Sequence, residues 1–405
     1  MLQLNNTTKR KAYSFILIMG IVSLFSDMTH EGARSIYGVY LHIAGASATV
    51  IGFVTGFGEF IGYSFRLLTG YIADKYKNYW TMSIVGYAIN MLAIPALALI
   101  PENGWLYACG LIIIERAGKA IRQPAKNTLV SFAAYHVGHG KSFAIQEFLD
   151  QLGAFLGPVI LFCVLLLNLG KDQFGNYAIC FAVLLIPAIL TLASLLIAKK
   201  RFPHPENFEL TTSTHTKVKV RTPFLLYIIA ISFFAFGFID FPLITMHISR
   251  QSLLPDKMLP LVYAGAMIVD AFSALFFGWL YDKKGIMVLI LSTGISAFFS
   301  VFVFSFNSIW AISLGIMMWG VGMGAQESIL KSAVTTLVHK EQRSTGFGLF
   351  ETSFGVCWFL GSWIMGVLYD RSITWMVIFS VITQLMAIPL FYIISNNYKF
   401  ISKRN

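Results

Sequence analysis

The chain has 405 residues, 57% of them hydrophobic and 12% charged, with a formal net charge of +11. Soluble domains carry roughly 25% charged residues. Half that share, with a mean hydropathy of +0.70, excludes a water-solvated globule, because too little polar sequence remains to cover one core. The positive charge does not mark a nucleic-acid binder. Most of the 30 Lys and Arg fall in loops that alternate to one side of a row of apolar stretches. Arg34, Lys171, Arg250, Lys257 and Arg371 fall on the other side, and Arg66 and Arg116 lie within stretches. This is the positive-inside pattern, and it puts both termini in the cytoplasm.

Many of the apolar stretches reach the ~20 residues a membrane helix needs. In chain order, spans are predicted over 12–40, 46–72, 79–100, 105–125, 142–167 and 176–198, then over 223–247, 259–281, 286–306, 309–331, 344–369 and 373–396. Lys9-Arg10-Lys11 before the first run mimics a signal peptide. The run is too long for one and many spans follow, so an uncleaved first helix is expected. Trp105 and Trp310 follow short loops, where an aromatic belt would lie. Cys109, Cys163, Cys180 and Cys357 all sit in apolar stretches with no Cys-x-x-Cys pair, and read as buried small hydrophobes. The one long polar segment, 199–222, opens with Lys199-Lys200-Arg201 and reads as a cytoplasmic linker between an N-terminal bundle (1–198) and a C-terminal bundle (223–405).

The halves repeat each other. Gly70, Asp74 and Lys75 recur 208 residues later as Gly278, Asp282 and Lys283, and Thr128-Leu129-Val130 recurs at the same spacing as Thr336-Leu337-Val338. Phe143, Glu147 and Gly157 recur 204 residues later as Phe347, Glu351 and Gly361. Two similar bundles that rock about a central site are the usual reason for such a repeat in a transporter.

At these residues the chain resembles the major facilitator superfamily, whose signature between spans 2 and 3 is Gly-x-x-x-Asp-Arg/Lys-x-Gly-Arg-Arg/Lys. Gly70, Asp74 and Lys75 match; Lys77 stands where the second glycine is expected and Asn78 where a basic residue is expected. The second copy keeps Gly278, Asp282, Lys283 and Gly285 without the basic tail. The resemblance covers essentially the whole chain. It implies an all-α membrane protein of twelve helices in two pseudo-symmetric six-helix bundles, working by alternating access, with these motifs at the cytoplasmic gate. There a carboxylate such as Asp74 can cap a neighbouring helix, and Gly70 can allow close helix approach. Gly153-Ala-Phe-Leu-Gly157-Pro158 looks like a pattern of family exporters, although a tight, kinked helix contact explains it equally well.

An ionised side chain at mid-membrane costs roughly 2.5–3.5 kcal/mol on insertion scales, so intramembrane charges are functional candidates by default. Asp27, His30, Glu31 and Arg34 share one face of span 1 at helical spacing. Glu31 is expected to pair with Arg34, leaving Asp27 to take up and release a proton. Span 2 sets Glu59, Tyr63, Arg66 and Gly70 on one face; span 4 does so with Glu115, Lys119, Arg122 and Lys126, with Arg116 pointing elsewhere. Span 5 groups Glu147, Asp150, Gln151 and Pro158. These acids and cations read as a polar route that carries protons and holds an anionic group, against the plainer reading of structural ion pairs such as Glu115 with Lys119. In the second half, Asp270 lies mid-span, Asp240 precedes Pro242 in the outer vestibule, Glu327 is spaced to pair with Lys331, and His247 is interfacial. Proton coupling is therefore expected mainly in the first bundle, with aromatic contacts in the second.

No phosphate-binding glycine loop, catalytic triad, zinc helix or nucleic-acid module appears, so no cofactor, metal or enzymatic activity is expected. The chain reads as a monomeric, proton-coupled secondary transporter of a small solute in a bacterial-type inner membrane, with the bilayer as its other partner. The substrate is an anionic metabolite or siderophore-like compound; the alternative is a proton antiporter exporting drugs or metabolites. From another class, a membrane sensor or an intramembrane enzyme using His30 and Glu31 stays open.

Overall fold

The computed structural model describes residues 6–137, 139–208, 222–337 and 343–402. In chain order the helices are α1 (Asn6–Ile43), α2 (Ala48–Tyr76), α3 (Tyr79–Ala96), α4 (Trp105–Val137), α5 (His139–Leu167), α6 (Gln173–Val183), α7 (Leu185–Arg201), α8 (Thr222–Gly237), α9 (Phe241–Arg250), α10 (Leu259–Lys284), α11 (Val288–Ser296), α12 (Phe299–Ser305), α13 (Ile309–Leu337), α14 (Arg343–Arg371) and α15 (Ile373–Ser402). No strand occurs among the described residues. Eleven of the described helical segments are long and apolar enough to cross a bilayer. α4 is not among them. Its 33 residues span about 50 Å, but Glu115, Arg116, Lys119, Arg122 and Lys126 dilute its apolar sequence. With α4 counted, the twelve predicted spans each have a helical counterpart.

Three of those spans are interrupted, and two have a local cause. α6 stops one residue before α7 because Pro187 has no N–H to give the carbonyl of Val183. α8 and α9 are separated by Phe238–Asp240. There the Asp240 carboxylate accepts from the Phe241 N–H at 2.9 Å and starts α9, with Pro242 in the first turn. Asp240 is buried, and there its carboxylate caps a helix inside the protein. Pro124 sits inside α4 without ending it. The Ala120 carbonyl that it leaves without its helical donor accepts from Thr69 Oγ1 of α2 at 2.8 Å.

The chain sorts into two compact units, Met1–Ser35 with Phe65–Thr214 and Ile36–Ser64 with His215–Asn405. In the first, α3 runs along α4, brought close by Gly86 and Gly118. A Cβ on Gly118 would lie 2.5 Å from the Asn90 nitrogen, and one on Gly86 2.6 Å from the Arg122 nitrogen. α5 meets α1 the same way: a Cβ on Gly153 or Gly157 would strike the carbonyl oxygens of Leu24 and Met28. Phe15, Trp80, Tyr87, Leu195 and Phe202 belong to the apolar core of this unit.

In the second unit α8 runs along α15 and α10 along α13. Phe238, Phe241, Tyr263 and Trp319 form an aromatic core beside the α8–α9 break, where Trp319 Nε1 donates to the Ile239 carbonyl at 2.9 Å. The end of α1 and the start of α2 belong to this unit, where Gly38 meets the Pro242 carbonyl of α9 and Gly52 the Ser362 carbonyl of α14. Asp370 Oδ2 accepts from the Thr49 N–H at 2.8 Å and from its hydroxyl at 2.6 Å, and so caps α2.

Several expectations change here. A Cβ on Gly70 would meet Pro124 at 3.6 Å, an ordinary contact, so Gly70 is not needed for close approach to α4. Cys163 is exposed, unlike Cys109 and Cys180. His247 is buried, with Nδ1 2.9 Å from the Tyr369 hydroxyl. The side chains of Asp74, Asp282, Phe143, Glu327 and Lys331, and residues 209–221 of the linker, lie outside the described residues. So does Val338 of the repeat. The repeat shows why the signature has a glycine where Lys77 stands: Lys77 has φ 51° and its counterpart Gly285 has φ 62°, so both positions take the backbone region that favours glycine.

Candidate functional site

The polar side chains of the first unit converge on His30 of α1, which is fully buried. Its Nδ1 lies 2.8 Å from Glu115 Oε1. Its Nε2 lies 3.2 Å from Arg116 Nη1 and 3.1 Å from Lys119 Nζ. Arginine and lysine only donate, so Nε2 accepts and carries no proton. The imidazole is therefore the neutral tautomer that donates from Nδ1 to the Glu115 carboxylate. Glu31 Oε1 lies 3.8 Å from the same Nε2, and Arg34 Nη1 lies 3.7 Å from Glu31 Oε2, so the expected Glu31–Arg34 pair forms.

Glu115 is held from three directions. Besides His30, Arg116 Nε lies 3.3 Å from Oε2. Asn90 of α3 donates from Nδ2 to Glu115 Oε1 at 2.5 Å and to the Glu115 carbonyl at 2.9 Å. Asn90 Oδ1 in turn accepts from Arg122 Nε at 3.1 Å. Arg122 Nη2 donates to Ser26 Oγ at 3.0 Å, and its guanidinium lies over the Tyr87 ring, 4.3 Å from the centroid. The buried acid and the buried base, two helical turns apart on α4, are thus bridged by one amide.

A second group lies one to two turns further along the same helices. Lys126 Nζ donates to Ser23 Oγ and lies 3.8 Å from Asp150 Oδ2. Ser23 Oγ donates to Gln146 Oε1 at 3.3 Å, and Gln146 Nε2 donates to the Ile16 carbonyl at 2.8 Å. Asp27 stands among Lys119, Arg122, Lys126 and Asp150. It makes no ion pair within 4.0 Å and no side-chain hydrogen bond among the described residues.

The structure therefore brings together Asp27, His30, Glu31, Arg34, Glu115, Arg116, Lys119 and Asp150 of the predicted set. Arg116 is a correction. Helical spacing aims it away, but its long side chain turns back onto Glu115 and His30. Lys119 reaches His30 as well as following Glu115 by one turn. Glu147 is not among the residues brought together: it is exposed, and Gln146 faces the core beside it. Glu147 Oε1 instead accepts from Gln151 on its own helix at 3.4 Å. Arg66 is half-buried on α2 in the first unit. Glu59 and Asp270 are buried in the second unit. Lys75 and Lys283 are exposed, each near an aromatic ring of its own helix, Tyr76 and Trp279; Gly278 is half-buried. Asn90, Ser26, Ser23, Tyr87 and Gln146 were not legible as site residues, since a neutral polar residue in an apolar helix looks the same whether or not it meets a charge. Among the described residues no cluster of ligating side chains suits a metal ion.

The Major Facilitator Superfamily profile matches residues 16–362 and 241–400. An uncharacterised protein of Mycobacterium tuberculosis is 36% identical over 390 residues, covering 95% of this chain and 93% of the relative. An uncharacterised MFS-type transporter of Methanocaldococcus jannaschii is 26% identical over 381 residues, covering 92% of each. Among solved structures, a nucleoside transporter matches with a TM-score of 0.70 at 13% identity, over 95% of this chain and 99% of that one. A bacterial homologue of the human lysosomal transporter Spinster matches with a TM-score of 0.71 at 11% identity, over 95% and 97%. With that profile running through nearly the whole chain and the fold matched end to end, the chain belongs to the Major Facilitator Superfamily and is a multi-pass membrane transporter.

Proposed function

We propose that this transporter is a proton-coupled secondary carrier of a small solute bearing an anionic group, such as an acidic metabolite or a siderophore-like compound. In this reading the first bundle, 1–198, carries the coupling groups and moves against the second, 223–405, across the linker 199–222. It acts as a monomer in a bacterial-type inner membrane with both termini in the cytoplasm. The observation that carries the reading is the buried chain Glu115–His30–Arg116/Lys119. Charges at membrane depth are costly to keep, and this chain alternates acid, neutral base and cation in hydrogen-bond contact. It can hold a carboxylate or phosphate on its cations and pass a proton through its imidazole and acids. Asp27 stands beside it as the acid with no close partner among the described residues.

The alternative is a proton antiporter exporting drugs or metabolites; Gly153 and Gly157 seat the contact of α5 with α1, which supports the plainer reading of that pattern as a tight helix contact. The test is uptake into proteoliposomes with an imposed pH gradient, screened over organic acids, phosphorylated metabolites and neutral solutes. An acidic solute driven by the gradient is the expected result. Flux of a solute that is indifferent to the gradient, with no driven solute found, would sink the coupling claim.

A further inference from the structure

His30 Nε2 offers one lone pair, yet Arg116 Nη1 and Lys119 Nζ both point at it, at 3.2 Å and 3.1 Å. A proton can occupy Nε2 only if both cationic N–H groups turn away. An anion is the species that would turn them, because a carboxylate or phosphate oxygen is a stronger acceptor for Arg and Lys than a neutral imidazole. The charged groups that face His30 are Glu31 and Arg34 from its own helix and Glu115, Arg116 and Lys119 from α4. α5 meets this stretch of α1 with the backbone of Gly157.

We infer that His30 is a co-binding switch: an anion taken by Arg116 and Lys119 frees Nε2, which then takes a proton from water, so that anion and proton bind together and the carrier is an anion–proton symporter. The new imidazolium is already provided for. Its Nδ1–H keeps the Glu115 carboxylate at 2.8 Å. Its Nε2–H faces Glu31 Oε1, now 3.8 Å away, and the incoming anion. Each anion that enters is accompanied by one proton, which cancels one of its negative charges; a monoanion is thus carried without net charge. Linkage makes the effect reciprocal: acid tightens anion binding by the factor by which the anion tightens proton binding. An antiporter requires the opposite, competition between the two. The inference rests on the proposed coupling site but makes a claim of its own, on the sign of the linkage.

Inorganic sulfate is a suitable probe, because its charge does not change across the neutral range and any pH dependence comes from the protein. Sulfate binding to the purified full chain in detergent is measured by calorimetry over a series of pH values, with proton uptake followed in weakly buffered solution. The expected result is an affinity that rises up to tenfold for each pH unit toward acid, with about one proton taken up per sulfate. H30Q should bind sulfate with an affinity that no longer follows pH, and K119Q should bind it at least tenfold more weakly. Proton release on binding, pH-independent binding to the wild-type chain, or undiminished proton uptake in a folded H30Q variant would each overturn the switch. Absence of saturable sulfate binding at millimolar concentration would overturn the anion assignment. If H30Q does not fold, the sign of the wild-type linkage decides alone. Failure of the proteoliposome screen with positive linkage would remove the transport reading and leave the switch.

Discussion

At the scale of the residue, Asn90 is the most informative side chain. It is fully buried and uses donor and acceptor at once, giving to Glu115 and taking from Arg122. Leucine has a similar size and neither function. N90L should lower stability by about 3 kcal/mol, since it removes the amide's hydrogen bonds to the buried Glu115 and from the buried Arg122, and thermal unfolding in detergent measures it. Proton-driven flux in N90L should fall at least tenfold, because Glu115 is no longer aimed at His30. Asp27 calls for a different expectation. With no hydrogen bond or close ion pair to lose among the described residues, D27N should leave the amount of protein in the membrane unchanged while abolishing gradient-driven flux. Wild-type driven flux in D27N would show that Asp27 takes no part in coupling.

At the scale of the element, helices α3 and α4 make the site because two glycines let them approach. Gly86 sits against Arg122 and Gly118 against Asn90, so the same contacts that pack the helices also seat the bridge. The turn that joins α2 to α3 shows the opposite economy. Lys77 holds φ 51°, a region that costs a non-glycine residue roughly 1–2 kcal/mol. The equivalent turn after α10 uses Gly285 at φ 62°. K77G should raise the unfolding free energy by up to about 1 kcal/mol, seen as a higher melting temperature with transport unchanged. A lower one would mean that the lysine side chain contributes more than its backbone strain removes.

At the scale of the whole molecule, the two compact units do not coincide with the two sequence halves. Ile36–Ser64 belongs with the unit that contains the C-terminal helices. One visible cause is the Asp370 carboxylate on the first turn of α2, 321 residues away in sequence. D370A should remove a cap worth about 1 kcal/mol. Amide exchange at the start of α2 should then quicken several-fold, with α3 and α4 unaffected. Equal exchange in D370A and wild type would mean that packing of α14 alone holds this segment.

The order of helices, their all-α membrane character and the internal repeat were legible in the chain because they depend on local quantities: hydropathy over some twenty residues, the sidedness of Lys and Arg, and recurring motifs. Asp27, His30, Glu31 and Arg34 were legible for the same reason, since burying charge in an apolar helix is costly wherever it occurs. Partners were not local, and only tertiary structure decided them. Glu115 binds His30 and Asn90, 85 and 25 residues away. Arg116 turns against the direction its helical position implies, and the neutral residues Asn90, Ser26 and Gln146 become part of the site by meeting charges from other helices. A periodic pattern tells which face of a helix is polar; which group that face meets depends on how closely the next helix can come, and here two glycines set that distance.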